Sequence, residues 1–285
     1  MTSRATFAAA LLWLAPVLAA GDLTRVTLQP AVDSAARQSD ISPRRVSWLL
    51  MAPTTDAVID SGWSDLAAAI PSGSLVKPFA ALAYAQGHDY RYPRYVCRGD
   101  ETGCWLPTGH EQIGIVDAIA HSCNSYFRDL SKRLLPARIE GLARRFGLTP
   151  PPPDAPRESY LGLGSAWRIT PLDLTRGYHE LLRRRQEPGV EPLIAGMREA
   201  CRTGTASSVG AKTGSMEMLG KTGTAPCTHR DLAPAADGDG FVILIGPADN
   251  PRHTLLMRVH GVPGLVVAEI AGSVWGQFAD GSHAP

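Results

Sequence analysis

The run Pro71-Ser72-Gly73-Ser74-Leu75-Val76-Lys77-Pro78-Phe79 sets a serine three residues ahead of a lysine, at the start of an apolar stretch. The pattern predicts a helix over about residues 74–86. Side chains three apart on a helix share a face, so the Lys77 amine can reach the Ser74 hydroxyl. Pro78 fits only near the first turn, where backbone donors have no helical partners. Ser74 then stands at the helix N-terminus, where the dipole favours developing negative charge. A nearby base, a positive field and free backbone N–H groups are what a serine nucleophile needs. The plain alternative is a Ser and a Lys at chance spacing on an exposed helix.

Lysine usage points the same way. Of 28 Lys and Arg residues only four are Lys: Lys77, Lys132, Lys212 and Lys221. Arginine stays protonated in a protein, whereas a desolvated lysine can become a neutral base. Three of the four lysines fall in motifs that would use such an amine.

Two of these motifs lie further along the chain. Ser122-Cys123-Asn124 separates helical stretches expected at 113–121 and 126–135. A loop serine can relay a proton, and an Asn two residues on can turn its amide toward a substrate or Lys77. The same residues are also ordinary in turns. Gly220-Lys221-Thr222-Gly223-Thr224-Ala225 reads as a strand, with Lys221 and Gly223 on the face opposite Thr222 and Thr224. Glycine in a strand often marks close approach of a ligand or another backbone. The strand edge can pair with an extended peptide while Lys and Thr hold its carboxylate. The spacing is not that of a phosphate-binding GxxxxGK[ST] loop. A second triplet, Lys212-Thr213-Gly214-Ser215, competes for the role of Lys221. It is disfavoured because it lengthens the excursion to the next strand at Phe241.

Outward from these motifs, residues 46–51 and 56–59 read as neighbouring strands. A Tyr-, Arg- and Gly-rich hairpin region and a helical region over 112–135 follow the first helix. The Pro-rich stretch 150–156 is a break but not a domain linker, since the later motifs must reach back to Ser74. Thr170 caps a helix that Pro171 opens, and 192–202 is also expected to be helical. Strands are expected at 216–225, 241–245 and 253–259, and a final helix over 264–278. Helices in the middle with strands from both ends predict an α+β fold whose sheet joins early strands to late ones.

The chain of 285 residues is 44% hydrophobic and 19% charged, with a formal net charge of +1. That suffices for one large domain or two lobes. It leaves no basic, aromatic-interleaved surface for nucleic acid. Residues 1–20, apolar behind Arg4 and ending in small residues, read as an export signal, with a retained anchor or buried helix as the alternative. The expected product is exported, periplasmic or associated with the cell envelope. Residues 21–43 read as a polar tail or short strand, and 44–285 as the folded unit. Among five cysteines, Cys97 and Cys104 flank a Gly-containing loop and can pair across a hairpin. A zinc site joining them to His88 or His110 lacks CxxC spacing. The expectation is a disulfide or two free thiols, with neither a metal nor another cofactor.

Taken together, in this order and spacing, the three motifs resemble the SxxK, SxN and KTG elements of penicillin-binding proteins and serine β-lactamases. The resemblance spans residues 46–278 and is nearest to transpeptidase domains. It also draws on 95–99, Gly109-His110, 118–127, 169–174 and Gly204-Thr205-Ala206. The last run, followed by Gly-Lys-Thr-Gly-Thr-Ala, further favours Lys221 over Lys212.

The resemblance implies an antiparallel sheet flanked by helices with an all-helical subdomain. It implies Ser74 as nucleophile, Lys77 as base and Ser122 as proton relay. Asn124 would hold the substrate backbone, Lys221 the positive field, and Thr222 and Thr224 the carboxylate. The backbone N–H groups of Ser74 and Thr224 would form the oxyanion hole beside Gly223. The implied partners are D-Ala-D-Ala stem peptides of peptidoglycan, β-lactams and cell-wall assembly proteins. With no ExxLN-like segment, and with Asn124 in the second motif, slow acylation is expected rather than rapid β-lactam hydrolysis. A D,D-carboxypeptidase, a β-lactamase and a non-turnover receptor or scaffold remain the alternatives.

Overall fold

Val46, Trp48 and Leu50 pack into one hydrophobic cluster, while Leu49 and Met51 pack into another. Strand β1 (Val46–Met51) is therefore buried along its whole length, with a core on each face. The computed structural model describes residues 27–227 and 238–279. Among them the further strands are β2 (Val58–Ser61), β3 (Ile70–Pro71), β4 (Tyr95–Cys97), β5 (Glu111–Ile113), β6 (Arg168–Ile169), β7 (Leu219–Ala225), β8 (Asp239–Gly246) and β9 (His253–His260). The main sheet is antiparallel with order β2-β1-β9-β8-β7, so early strands do join late ones. Strand β8 follows the same two-sided rule. Phe241, Ile243 and Ile245 enter one core and Val242 and Leu244 the other, which explains its unbroken apolar run. The pairs β3–β6 and β4–β5 are separate two-stranded ribbons.

The helices are α1 (Gln29–Gln38), α2 (Lys77–Ala85), α3 (Ile115–Ala120), α4 (Asn124–Lys132), α5 (Pro136–Arg145), α6 (Pro171–Arg183), α7 (Glu191–Arg202), α8 (Ser207–Thr213) and α9 (Gly264–Ala279). Residues of α1, α8 and α9 fill the core on one face of the sheet. The other core is built round α2, whose residues are all buried. A helix with no solvent face belongs at the centre of a helical layer. This is an α+β fold, with the central helix carrying Lys77. None of the described helices is long and apolar enough to cross a membrane.

Several boundaries differ from the sequence reading. Residues 29–38, expected as tail or short strand, form α1, with Ala31, Val32, Ala35 and Ala36 buried. Its apolar stripe is narrow and made mostly of small residues, so polar composition concealed it. The residue before α1 is also tied to the sheet, where Leu28 N donates to Asp60 Oδ2 at 2.7 Å. The region 112–135 is strand β5 followed by two helices, and α5 and α8 were not foreseen. The proposed leader, 1–20, lies outside the described residues. Thr170 does cap α6, accepting from Asp173 N at 3.0 Å, with Pro171 opening the helix.

Candidate active site

Ser74 does not begin the α-helix directly. It sits in a single 3₁₀ turn, Gly73–Val76, that runs into α2 at Lys77. Residues three apart eclipse in a 3₁₀ turn, so Ser74 and Lys77 still project to the same side. Pro78 lies in the first turn of α2, where its missing N–H costs nothing.

Lys77 is fully buried, and its Nζ donates to Ser122 O at 2.7 Å, Ser122 Oγ at 3.2 Å and Asn124 Oδ1 at 2.7 Å. Burial pushes its ammonium down to about 7. Lys221, also fully buried, donates to Ser122 Oγ at 2.8 Å and Thr222 O at 2.8 Å. Burial, and then the charge of Lys77, hold it well below the ordinary lysine value. Ser74 Oγ makes no hydrogen bond among the described residues and faces an open cleft of about 460 Å³. The structure thus joins the serine, both lysines and the Ser122–Asn124 turn, and aims the amines at Ser122.

The second motif is shaped by its backbone. Ser122 has φ 51°, a left-handed conformation that a non-glycine residue seldom adopts. Cys123 is the N-cap of α4, its sulfur accepting from Tyr126 N, and Asn124 is the first helical residue. Burial pushes the Cys123 thiol up and makes it inert as a nucleophile.

The third motif forms β7, the edge strand of the sheet. Its pairing with β8 runs from Leu219–Ile245 to Ala225–Asp239, which leaves its other side toward the 3₁₀ turn. A Cβ on Gly223 would lie 3.1 Å from Ser74 N, and one on Gly73 (φ +55°) would lie 3.1 Å from Thr224 N. Gly223 thus packs against the backbone of Ser74 and Gly73 against that of Thr224, and Ser74 and Thr224 both line the cleft. Thr222 Oγ1 donates to Thr205 Oγ1 at 2.6 Å, and Thr224 Oγ1 accepts from Gly264 N at 3.1 Å. Lys212 belongs elsewhere. On α8 it donates to Ser273 Oγ at 2.6 Å and pairs with Glu269 at 3.7 Å.

Trp105, Leu163, Thr205, Gly264 and Leu265 also line the cleft and carried no site role in the sequence reading. Thr205 lay in a run already singled out for its resemblance. The others come from loops and a helix start whose convergence no local pattern signals. No carboxylate or imidazole lines the cleft among the described residues.

Of the two states expected for Cys97 and Cys104, the structure has the second, free thiols. No disulfide joins Cys97 to Cys104, and both sulfurs lie 3.5 Å from His110 Nδ1. Cys123 completes a group of four potential metal ligands with them. These side chains meet through the β4–β5 ribbon and the α4 cap, a convergence that spacing along the chain does not show. His88 takes no part; in the turn after α2, its Nδ1 lies 2.8 Å from Tyr84 O.

Fold and site together define a serine–lysine architecture in which an edge strand borders the Gly73–Val76 turn that carries Ser74. A profile of the penicillin binding protein transpeptidase domain matches residues 62–274, and the chain belongs to that family. Solved structures agree in fold. Penicillin-binding protein 2 of Pseudomonas aeruginosa, in complex with WCK 5153, is 19% identical with a TM-score of 0.72, over 90% of this chain and 78% of that one. Penicillin-binding protein 2 of Helicobacter pylori, in complex with MreC, is 17% identical with a TM-score of 0.72. That match covers 89% of this chain and 62% of the relative. The transpeptidase domain of FtsI4 from Legionella pneumophila is 18% identical with a TM-score of 0.63, over 92% and 98% of the two chains. No curated protein matches the chain.

Proposed function

We propose that the chain is a serine D,D-transpeptidase-like acyltransferase acting on D-Ala-D-Ala stem peptides of peptidoglycan and acylated by β-lactams. The observation that carries this reading is the pair of buried lysines sharing the hydroxyl of Ser122, which lines the same cleft as Ser74. In this mechanism Ser74 Oγ attacks the terminal amide carbonyl, and its proton passes to neutral Lys77. An acyl ester forms, the C–N bond breaks, and Ser122 hands the proton to the departing D-Ala amine. An acceptor amine then attacks the ester and returns Ser74 to its hydroxyl form. Asn124 holds the substrate backbone. Lys221 keeps the site positive, Thr222 and Thr224 bind the terminal carboxylate, and the N–H groups of Ser74 and Thr224 receive the oxyanion.

A persistent β-lactam adduct is part of the proposal. Rapid hydrolysis needs a base for the deacylating water, and the described cleft lining supplies no carboxylate or imidazole. Export to the periplasm or cell envelope is proposed from the apolar leader, and contact with cell-wall assembly proteins from the relative bound to MreC. The test is to incubate purified chain with a fluorescent penicillin beside a Ser74→Ala variant, following intact mass. A stable adduct on the parent alone supports the proposal. Rapid loss of the adduct with drug hydrolysis indicates a β-lactamase, and failure of the folded parent to label indicates a scaffold. Turnover of a pentapeptide separates an enzyme from a receptor that acylates once.

A further inference from the structure

Three chain segments come together at one end of the main sheet. Cys227 stands two residues beyond β7, Asp239 opens β8 and His260 closes β9. Asp239 pairs in register with Ala225 on one side and with His260 on the other. Side chains two apart in a strand share a face, so Asp239 continues the row of Phe241 and Ile243, and His260 that of Leu256. Those rows are apolar and enter the core built round α2, yet they end in a carboxylate and an imidazole with a thiol beside them.

The ligand atoms of Cys227, Asp239 and His260 all lie within 4.8 Å of one another, and Asp239 Oδ2 is 2.9 Å from His260 Nδ1. A tetrahedral zinc ion, with bonds of about 2.0–2.3 Å, holds such atoms about 3.3–3.6 Å apart. Shifts of about an ångström bring the three side chains to that spacing. Asp239 and His260 are buried and Cys227 is half-buried, which gives an ion a way in from the cysteine side.

Plain packing accounts for less. An Asp239–His260 ion pair uses two of the groups and leaves the adjacent sulfur unexplained, and a buried pair gains little by itself. Thiolate, imidazole and carboxylate are the donor types that zinc takes, and three protein donors suffice when a non-protein ligand fills the fourth position. Two arginines shape the surroundings. Arg45 Nε donates to His260 O at 2.8 Å and holds the end of β9. The Arg258 guanidinium donates to Ser47 Oγ at 3.1 Å and lies 4.7 Å from the Trp63 ring centre. Burial works against its charge, while Asp239 and Cys227 support it. The same attraction favours ionised thiolate and carboxylate, the forms that bind metal, and these two anions together balance a divalent ion.

We propose that Cys227, Asp239 and His260 bind one zinc ion, which pins the ends of β7, β8 and β9 together. The pinned strand β7 is the one that carries Gly223 and Thr224 beside Ser74. The metal site does not depend on the acyltransferase reading.

Zinc titration of the full chain against a chromophoric chelator tests the site. The affinity for one zinc equivalent should fall at least ~10-fold in Cys227→Ala and in Asp239→Asn, whatever the other cysteines hold, since even groups that only orient a ligand are worth that much. Cys201→Ser, whose thiol lies in the core on the other face of the sheet, should match the parent. The cobalt spectrum of the parent minus that of Cys227→Ala should show a thiolate-to-cobalt charge-transfer band. Zinc should slow hydrogen exchange over residues 223–227 and 239–241 in the parent and not in Cys227→Ala. Cys227 is half-buried, so this variant should fold as the parent does, which circular dichroism checks. Equal zinc binding by the parent and folded Cys227→Ala, or a cobalt difference spectrum without the thiolate band, overturns the site. Bound zinc that leaves exchange unchanged overturns the pinning of the strands. Neither readout involves penicillin, so failure here is separate from failure of the acyltransferase reading.

Discussion

Lys77 and Lys221 meet on a single hydroxyl, their Nζ atoms 3.2 and 2.8 Å from Ser122 Oγ. Both are fully buried, and burial lowers both pKa values, Lys77 to about 7 and Lys221 well below the ordinary value. A charged pair at this spacing in a dry site is costly, so a neutral amine is accessible near neutrality. That amine is the base the proposed reaction requires.

Acylation of Ser74 should therefore rise with pH through about 7. The reactive form is neutral Lys77, which is present above that value and lost below it. One unit lower, the rate should fall to about a tenth of its plateau. Stopped-flow labelling across the pH range checks this, and a flat profile would remove Lys77 as the base. Lys77→Arg cannot become neutral and should lose ~10²–10⁴-fold in rate.

Ser122→Ala removes the hydroxyl shared by both lysines. Labelling should slow by roughly 10²-fold or more, since proton transfer by a positioned group contributes on that scale. Circular dichroism should stay unchanged. A variant that acylates at the parental rate would exclude Ser122 as the relay.

Gly223→Ala tests the contact between β7 and the nucleophile turn. The new methyl would press on Ser74 N at 3.1 Å and Leu75 Cγ at 3.3 Å. A stability loss of about 1–3 kcal/mol is expected from overpacking. Labelling should fall as well, because the displaced atom belongs to the backbone of Ser74, the proposed nucleophile. Unchanged melting and labelling would show that the contact is slack.

Val32→Ala asks whether the N-terminal helix belongs to the folded unit. Val32 is fully buried in the core shared with α9. Its truncation should cost roughly 2 kcal/mol in denaturant unfolding. A shift near zero would make α1 a detachable appendage.

The sequence by itself determined the three motifs, their order and the strands and helices long enough to show a clear pattern. Lys77, Lys221 and Ser122 could be singled out because chemistry restricts which residue types suit a base or a relay, and because this chain uses lysine sparingly; the structure brings the three together. The joining of early strands to late ones in one sheet was legible in the order of the elements. Tertiary structure alone decided that both lysines turn to Ser122, that Trp105, Leu163 and Leu265 wall the cleft, and that α1 packs on the sheet. It also decided that three cysteines and a histidine meet. These are contacts between residues far apart in the chain, set by how helices and sheet pack. A local pattern carries the chemistry of a side chain and the period of its element, but not the neighbour that packing brings to it.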